Sequence, residues 1–152
     1  MSWEENLVED EPGIAEILRN SHVVAVLGME RDENSDRPAY AVPKFLRRRG
    51  YEIVPLPVKY PDVTEVDGLR AYHSLSEVPQ AVDIVDVFRS PRDIPKHLDD
   101  ILAKKPKAVW FQSGIRNDAA AETLARAGIK VVQDRCMKVE VMRLGRRHGC
   151  AT

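Results

Sequence analysis

Apolar and polar positions along the chain fall into blocks with two different periods. Short runs of aliphatic and β-branched residues occur at 23–27 (VVAVL), 51–56 (YEIVPL), 82–88 (VDIVDVF), 108–111 (AVWF) and 129–132 (IKVV), the length of buried strands. Between them apolar residues recur every three or four positions, as on one face of a helix. Ile14, Ile17 and Leu18 mark a short leading helix, with Pro12 at its first position, packed on the sheet edge. Val42, Phe45 and Leu46 mark the inner face of a second helix that Gly50 ends; Pro43 inside the pattern means that this helix begins near it or kinks there.

The third helix is predicted from Ile94, Leu98, Ile101 and Leu102, with Ser90 as N-cap, Pro91 as first residue and Asp93 as the reciprocal acid of a capping box. Asn117 caps a fourth, which runs to about Ala127 and stops at Gly128; QDRCMKVEVMRL leads into a last one. The polar stretch 57–72 receives no assignment, and the tail GRRHGCAT is expected to fray. Strands alternating with helices predict βαβ units. The expected fold is one doubly wound, mainly parallel five-stranded α/β domain over residues 1–152.

Composition narrows the class. The 152 residues are 43% hydrophobic and 31% charged, the mix of an ordinary globular protein, long enough to bury roughly 70% of its unfolded surface. A net charge of −1 gives no whole-molecule attraction to nucleic acid or acidic membranes, so any anion site must be local. Two cysteines, Cys136 and Cys150, are too few for a disulfide framework, and the acidic N-terminus has no signal-peptide pattern; a cytoplasmic setting follows as the expectation.

In an open parallel sheet, ligands bind beyond the carboxyl ends of the strands. After the first strand come Gly28 and Met29, a loop with six formal charges between Glu30 and Arg37, and then Pro38 opening a helix. A helix start exposes N–H groups that suit a diphosphate, and Arg37 would add a charge-assisted contact; a solvated arginine is the plain alternative. The second strand runs into Pro57, Val58, Lys59 and Tyr60, where an NAD site would want an acid. Lys59 instead suits a phosphorylated ribose, the 2'-phosphate of NADP or the 3'-phosphate of coenzyme A, or it is simply solvated. Val87, Phe88, Arg89 and Ser90 follow the third strand, and Gln112 and Gly114 the fourth.

The blocks RPAYAVPKFLRRRGYEIVPL, VDIVDVFRSP, VWFQSGI and VVQDRCMKVEVMRL, in that order, resemble the small single-domain CoA-binding proteins and the N-terminal domain of the succinyl-CoA synthetase α subunit. The resemblance covers about residues 14–144. It implies a Rossmann-like fold, with the diphosphate of coenzyme A along 28–37, its adenosine end near 57–60, and 87–90 beside adenine or pantetheine. The family's small residue and serine after the glycine are Met29 and Glu30 here, and its asparagine after the second strand is absent. Carboxylates beside a diphosphate repel it unless they turn outward.

Catalytic groups are scarce. Cys136, between Arg135 and Lys138 at a helix start, is the one candidate nucleophile, for mixed-disulfide exchange with the CoA thiol; a structural cysteine is the alternative. Asp134 and Arg135 are expected to pair with each other or cap the last helix. His22, His73, His97 and His148 share no metal-ligand spacing. Three functions stay open: a CoA or acyl-CoA binding module acting as carrier, sensor or regulator, a nicotinamide-nucleotide-binding redox regulator, and a partner subunit of an acyl-CoA ligase. The first also allows a homo-oligomer or a partner protein.

Overall fold

The computed structural model describes residues 2–144, so the predicted frayed tail, with His148 and Cys150, lies outside the described residues. Five strands, β1 (Val23–Leu27), β2 (Glu52–Leu56), β5 (Ile84–Val87), β6 (Ala108–Phe111) and β7 (Lys130–Val132), form one sheet in the order β2-β1-β5-β6-β7. Every pairing is parallel, and Val26 stands in register with Pro55 on one side and Asp86 on the other. Pro55 is tolerated because β2 is an edge strand. The N-terminal segment extends the opposite edge, with the Val8 amide donating to the Val131 carbonyl at 2.9 Å.

Alternation along each strand sends side chains to two separate cores. Val24, Val26, Ile84 and Trp110 face α1 (Glu11–Arg19), α2 (Pro38–Arg48) and α5 (Met137–Leu144), through Ile14, Leu18, Leu46, Met137 and Val141. Ala25, Leu27, Val85 and Phe111 face α3 (Leu98–Lys104) and α4 (Asp118–Arg126), through Ile101 and Leu124. Helices thus cover both faces, and the fold is the doubly wound Rossmann-like α/β expected.

Local departures have identifiable causes. In α1 Asp10 is the cap and Glu11 precedes Pro12, which therefore sits one position later than predicted. Helix α2 begins at Pro38 and carries Pro43 inside. Pro43 has no N–H, so the Ala39 carbonyl four residues earlier is free, and it accepts the Glu30 amide at 3.1 Å. The predicted third helix is split: residues Pro91–His97 wind as a 3-10 helix and only then does α3 begin, with Pro95 interrupting the ladder. The capping box does not form; the Ser90 hydroxyl donates to the Asp93 carboxylate instead.

The unassigned stretch 57–72 contains a small hairpin, β3 (Glu65–Val66) and β4 (Leu69–Arg70). Asp67 and Gly68 both have positive φ, 51° and 75°, which a two-residue turn of this hand requires. Val66 plugs into the first core, and Asp67 ties the turn to Arg47 of α2.

Candidate functional site: the cleft at the carboxyl ends of β1 and β5

The chain leaves β1 toward β2 on one side, and β5, β6 and β7 add on the other, so the topology reverses between β1 and β5. The two strand ends come close there. Gly28 has φ +91°, and a Cβ on it would lie 2.5 Å from the Phe88 carbonyl oxygen and 3.1 Å from the Arg89 side chain. Its amide donates to the Leu56 carbonyl at 2.8 Å, and the Phe88 amide to the Leu27 carbonyl at 2.9 Å. Only glycine fits this crossing.

Beyond Gly28 opens a cleft of about 300 Å3, lined by Glu30, Arg37, Pro38 and Ala39 on one wall and Phe88, Arg89, Ser90 and Ile115 on the other. Pro38 has no N–H, and the Tyr40 and Ala41 amides both donate to the Arg37 carbonyl, at 2.9 and 2.8 Å. The Ala39 amide, the remaining donor of that first turn, has no partner among the described residues, and Ala39 lines the cleft. Arg37 is 60% exposed. Arg89 is held down: its Nε donates to His97 Nε2 at 3.2 Å, and its guanidinium lies 3.8 Å from Asp93. Burial, then the charge of Arg89, lower the His97 pKa, which keeps the ring neutral and able to accept.

Glu30 is a residue of the cleft that sequence reasoning missed. Its side chain is buried and turned inward. Oε1 accepts Asn34 Nδ2 and the Tyr60 hydroxyl, each at 2.8 Å, and Oε2 lies 3.6 Å from Arg37. Burial pushes its pKa up, but the hydrogen bonds from Asn34 and Tyr60, the Arg31 amide and the Arg37 charge outweigh it, and the carboxyl ends below its ordinary range. The Tyr60 phenol is raised, first by that same hydrogen bond. Arg31 stacks over the Tyr60 ring at 4.5 Å. The spacing of Asn34 four residues after Glu30 was visible in the sequence; the arrival of Tyr60 was not.

The other loop acids are spent locally or point out. Asp32 accepts the Tyr40 hydroxyl and the Asp67 amide, both at 2.9 Å, while Glu33 and Asp36 are exposed. With burial as the leading cause, Tyr40 is pushed up to about 12.

The remaining predicted residues divide. Met29 and Val87 are buried in the two cores beneath the cleft, and Pro57 is buried with Val58 half-buried beside it. Lys59 is exposed, with no ion-pair partner among the described residues. Gln112 turns inward: Nε2 donates to Asp86 Oδ1 at 2.5 Å and Oε1 accepts the Met137 amide. Asp86 Oδ2 has no partner, and burial raises this carboxyl to about 7. Gly114 is exposed, and its amide donates to Asp134 Oδ1 at 2.6 Å.

Asp134 therefore neither pairs with Arg135 nor caps α5. Arg135 reaches the Glu9 carbonyl at 3.0 Å and Glu140 at 3.9 Å. Cys136 is half-buried at the start of α5, and Lys138 stacks on Phe45 at 5.1 Å. Among the described residues no group of His, Cys, Asp and Glu could hold a metal, and no helix is long and apolar enough to cross a membrane.

A glycine-crossed switch point opening on a helix start defines the class of nucleotide-type α/β folds. The chain belongs to the CoA binding domain family, which it matches over residues 22–142. It is 40% identical to a solved Thermus thermophilus protein, cell-free ID.343, with a TM-score of 0.83 over 90% of this chain and 99% of that one. It is 35% identical to the uncharacterized protein YneT of Bacillus subtilis (strain 168), over 83% of this chain and 90% of that one. Acetyl-coenzyme A synthetase 1 of Ca. Korarchaeum cryptofilum shares the fold at 25% identity and a TM-score of 0.62, over 76% of this chain and 26% of that enzyme.

Proposed function

We propose that the protein binds coenzyme A or an acyl-CoA in the β1/β5 cleft and works in the cytoplasm as a one-domain carrier, sensor or regulatory module. The close approach of Gly28 to Phe88 carries the reading, because it brings the ends of β1 and β5 together where the cleft and the start of α2 meet. Arg37 and the Ala39 amide are suited to the diphosphate, and Lys59, unpaired and exposed, to the 3'-phosphate. Phe88 and Ser90 would line the adenine or pantetheine. The bound group supplies a thiol for acyl carriage.

Chemistry is left out of the proposal: Arg135 reaches the Glu9 carbonyl, Lys138 lies over Phe45, and Cys136 is half-buried against the core. A partner protein has one observation in its favour, the exposed Val139 and Met142 on α5. Thermal-shift titration with CoA, dephospho-CoA, NAD and NADP tests the ligand. CoA at a hundredfold excess over its Kd should stabilise by about 2.7 kcal/mol, with dephospho-CoA giving less. A shift with NAD alone would overturn the proposal.

A further inference from the structure

We infer that Glu30 is an internal stand-in for the ligand's phosphate, so that the first loop is latched shut on its own carboxylate and an anionic ligand enters by displacing it. The inference rests on the CoA reading and deepens it to how the site is regulated.

Three donors from two parts of the chain converge on this one carboxylate: Asn34 and Arg37 from the loop and Tyr60 from beyond β2. Arg37 has no other side-chain partner among the described residues, and Asn34 and the Tyr60 hydroxyl have, besides Glu30, only each other. Such a set of cation, amide and phenol donors is what a phosphoryl group recruits. The root of the side chain is fixed as well, because the Glu30 amide is bonded to the Ala39 carbonyl that Pro43 leaves free. Among the loop acids Glu30 alone combines burial with a place in the cleft wall.

Two anions within reach of one guanidinium in a poorly hydrated cleft oppose each other. A diphosphate docked on Arg37 and Ala39 therefore competes with Glu30 for its donors. When Glu30 swings out, Tyr60 loses its acceptor and one tie between the loop 29–37 and the segment after β2 is released, leaving the bond from the Asp67 amide to Asp32. The latch thus links occupancy of the cleft to the freedom of the first loop, and it weakens ligand binding by the work of opening it.

The test is calorimetric titration of CoA into the wild type, Glu30→Gln and Glu30→Ala, with an ultraviolet titration of the Tyr60 phenol read against Tyr60→Phe. Glu30→Gln keeps the shape and removes the charge, and should bind CoA about tenfold more tightly. Glu30→Ala removes the carboxylate and leaves its three donors in place, and should also gain roughly tenfold, which covers the case of a poorly folded glutamine variant. Without ligand, Glu30→Gln should bring the Tyr60 phenol down toward its ordinary range. Equal or weaker CoA binding by the variants, or a Tyr60 titration that does not move, overturns the latch. No CoA binding by the wild type or either variant overturns the ligand reading beneath it, a result distinct from the first.

Discussion

At the amino end of the sheet the Asp83 carboxylate accepts the amides of His22 and Val23, each at 2.8 Å, and faces Lys107 at 3.3 Å. At the carboxyl end Glu30 accepts the side chains of Asn34 and Tyr60 and the loop amide of Arg31, with no bond to the sheet's own backbone among the described residues, and faces an Arg37 that is 60% exposed. In both, burial raises the pKa and hydrogen bonds more than reverse it. Backbone partners cannot leave while the sheet stands, whereas side-chain partners can rotate away. Asp83 therefore fastens a strand entrance, and Glu30 holds a set of donors that remain exchangeable. One end of the sheet is closed by its own main chain; the other is closed by groups that a ligand can recruit.

The largest expected effect falls on the crossing that separates the two strand ends. Gly28→Ala puts a Cβ at positive φ against the Phe88 carbonyl, and should lose about 2–4 kcal/mol of stability together with CoA binding. A denaturation midpoint equal to wild type would mean that the strands are less tightly crossed than described.

Next comes Asp83→Asn, expected to lose about 1–3 kcal/mol at neutral pH by weakening two charge-assisted bonds to backbone amides. Because the folded pKa of Asp83 is lowered, its contribution is present above the unfolded value and is lost as pH falls through the folded one. Wild type and variant should converge in acid; a constant gap at every pH would contradict this assignment.

Asp86 sharpens the comparison from between the two ends. Its folded pKa is raised to about 7, so the folded chain holds a proton that the unfolded chain has released. Stability from this group is full below the unfolded pKa near 3.8 and declines as pH rises to about 7. Asp86→Asn should remove that decline and gain roughly 2–3 kcal/mol over wild type at pH 8 relative to pH 5, measured by urea unfolding at the two pH values. Parallel pH profiles would show that Asp86 finds a partner for its charge.

The smallest effect is at Lys59, exposed and unpaired. Lys59→Ala should weaken CoA about three- to fivefold, near 1 kcal/mol, and leave dephospho-CoA untouched. Equal losses for both ligands would move the 3'-phosphate elsewhere.

The five strands and their helical partners were legible in the residue pattern, since buried parallel strands are unbroken aliphatic runs; the strand order was not, because an aliphatic run does not name its neighbours. Asn117 does accept the Ala120 amide, as its position before an apolar-periodic run implied. Less legible were effects that depend on a missing N–H. Pro95 turned a predicted helix start into 3-10 winding and so spoiled the capping box, while Pro43 freed a carbonyl for a residue thirteen positions away. The Asp67-Gly68 hairpin carried a readable turn signal inside a stretch too polar to suggest strands. Glu30 was hidden among neighbouring acids, because its burial depends on Tyr60, thirty positions on, and no periodicity links the two. The inward turns of Gln112 and Asp86 were hidden for the same reason.

The most direct measurement is an amide-correlation NMR titration of the 15N-labelled protein with CoA. The shifted resonances should be those of Gly28, Glu30, Arg37, Ala39, Tyr60 and Arg89, with His22, Val23 and Asp83 unmoved. Shifts confined to the amino end of the sheet, or none at saturating CoA, would contradict a ligand site at the β1/β5 crossing.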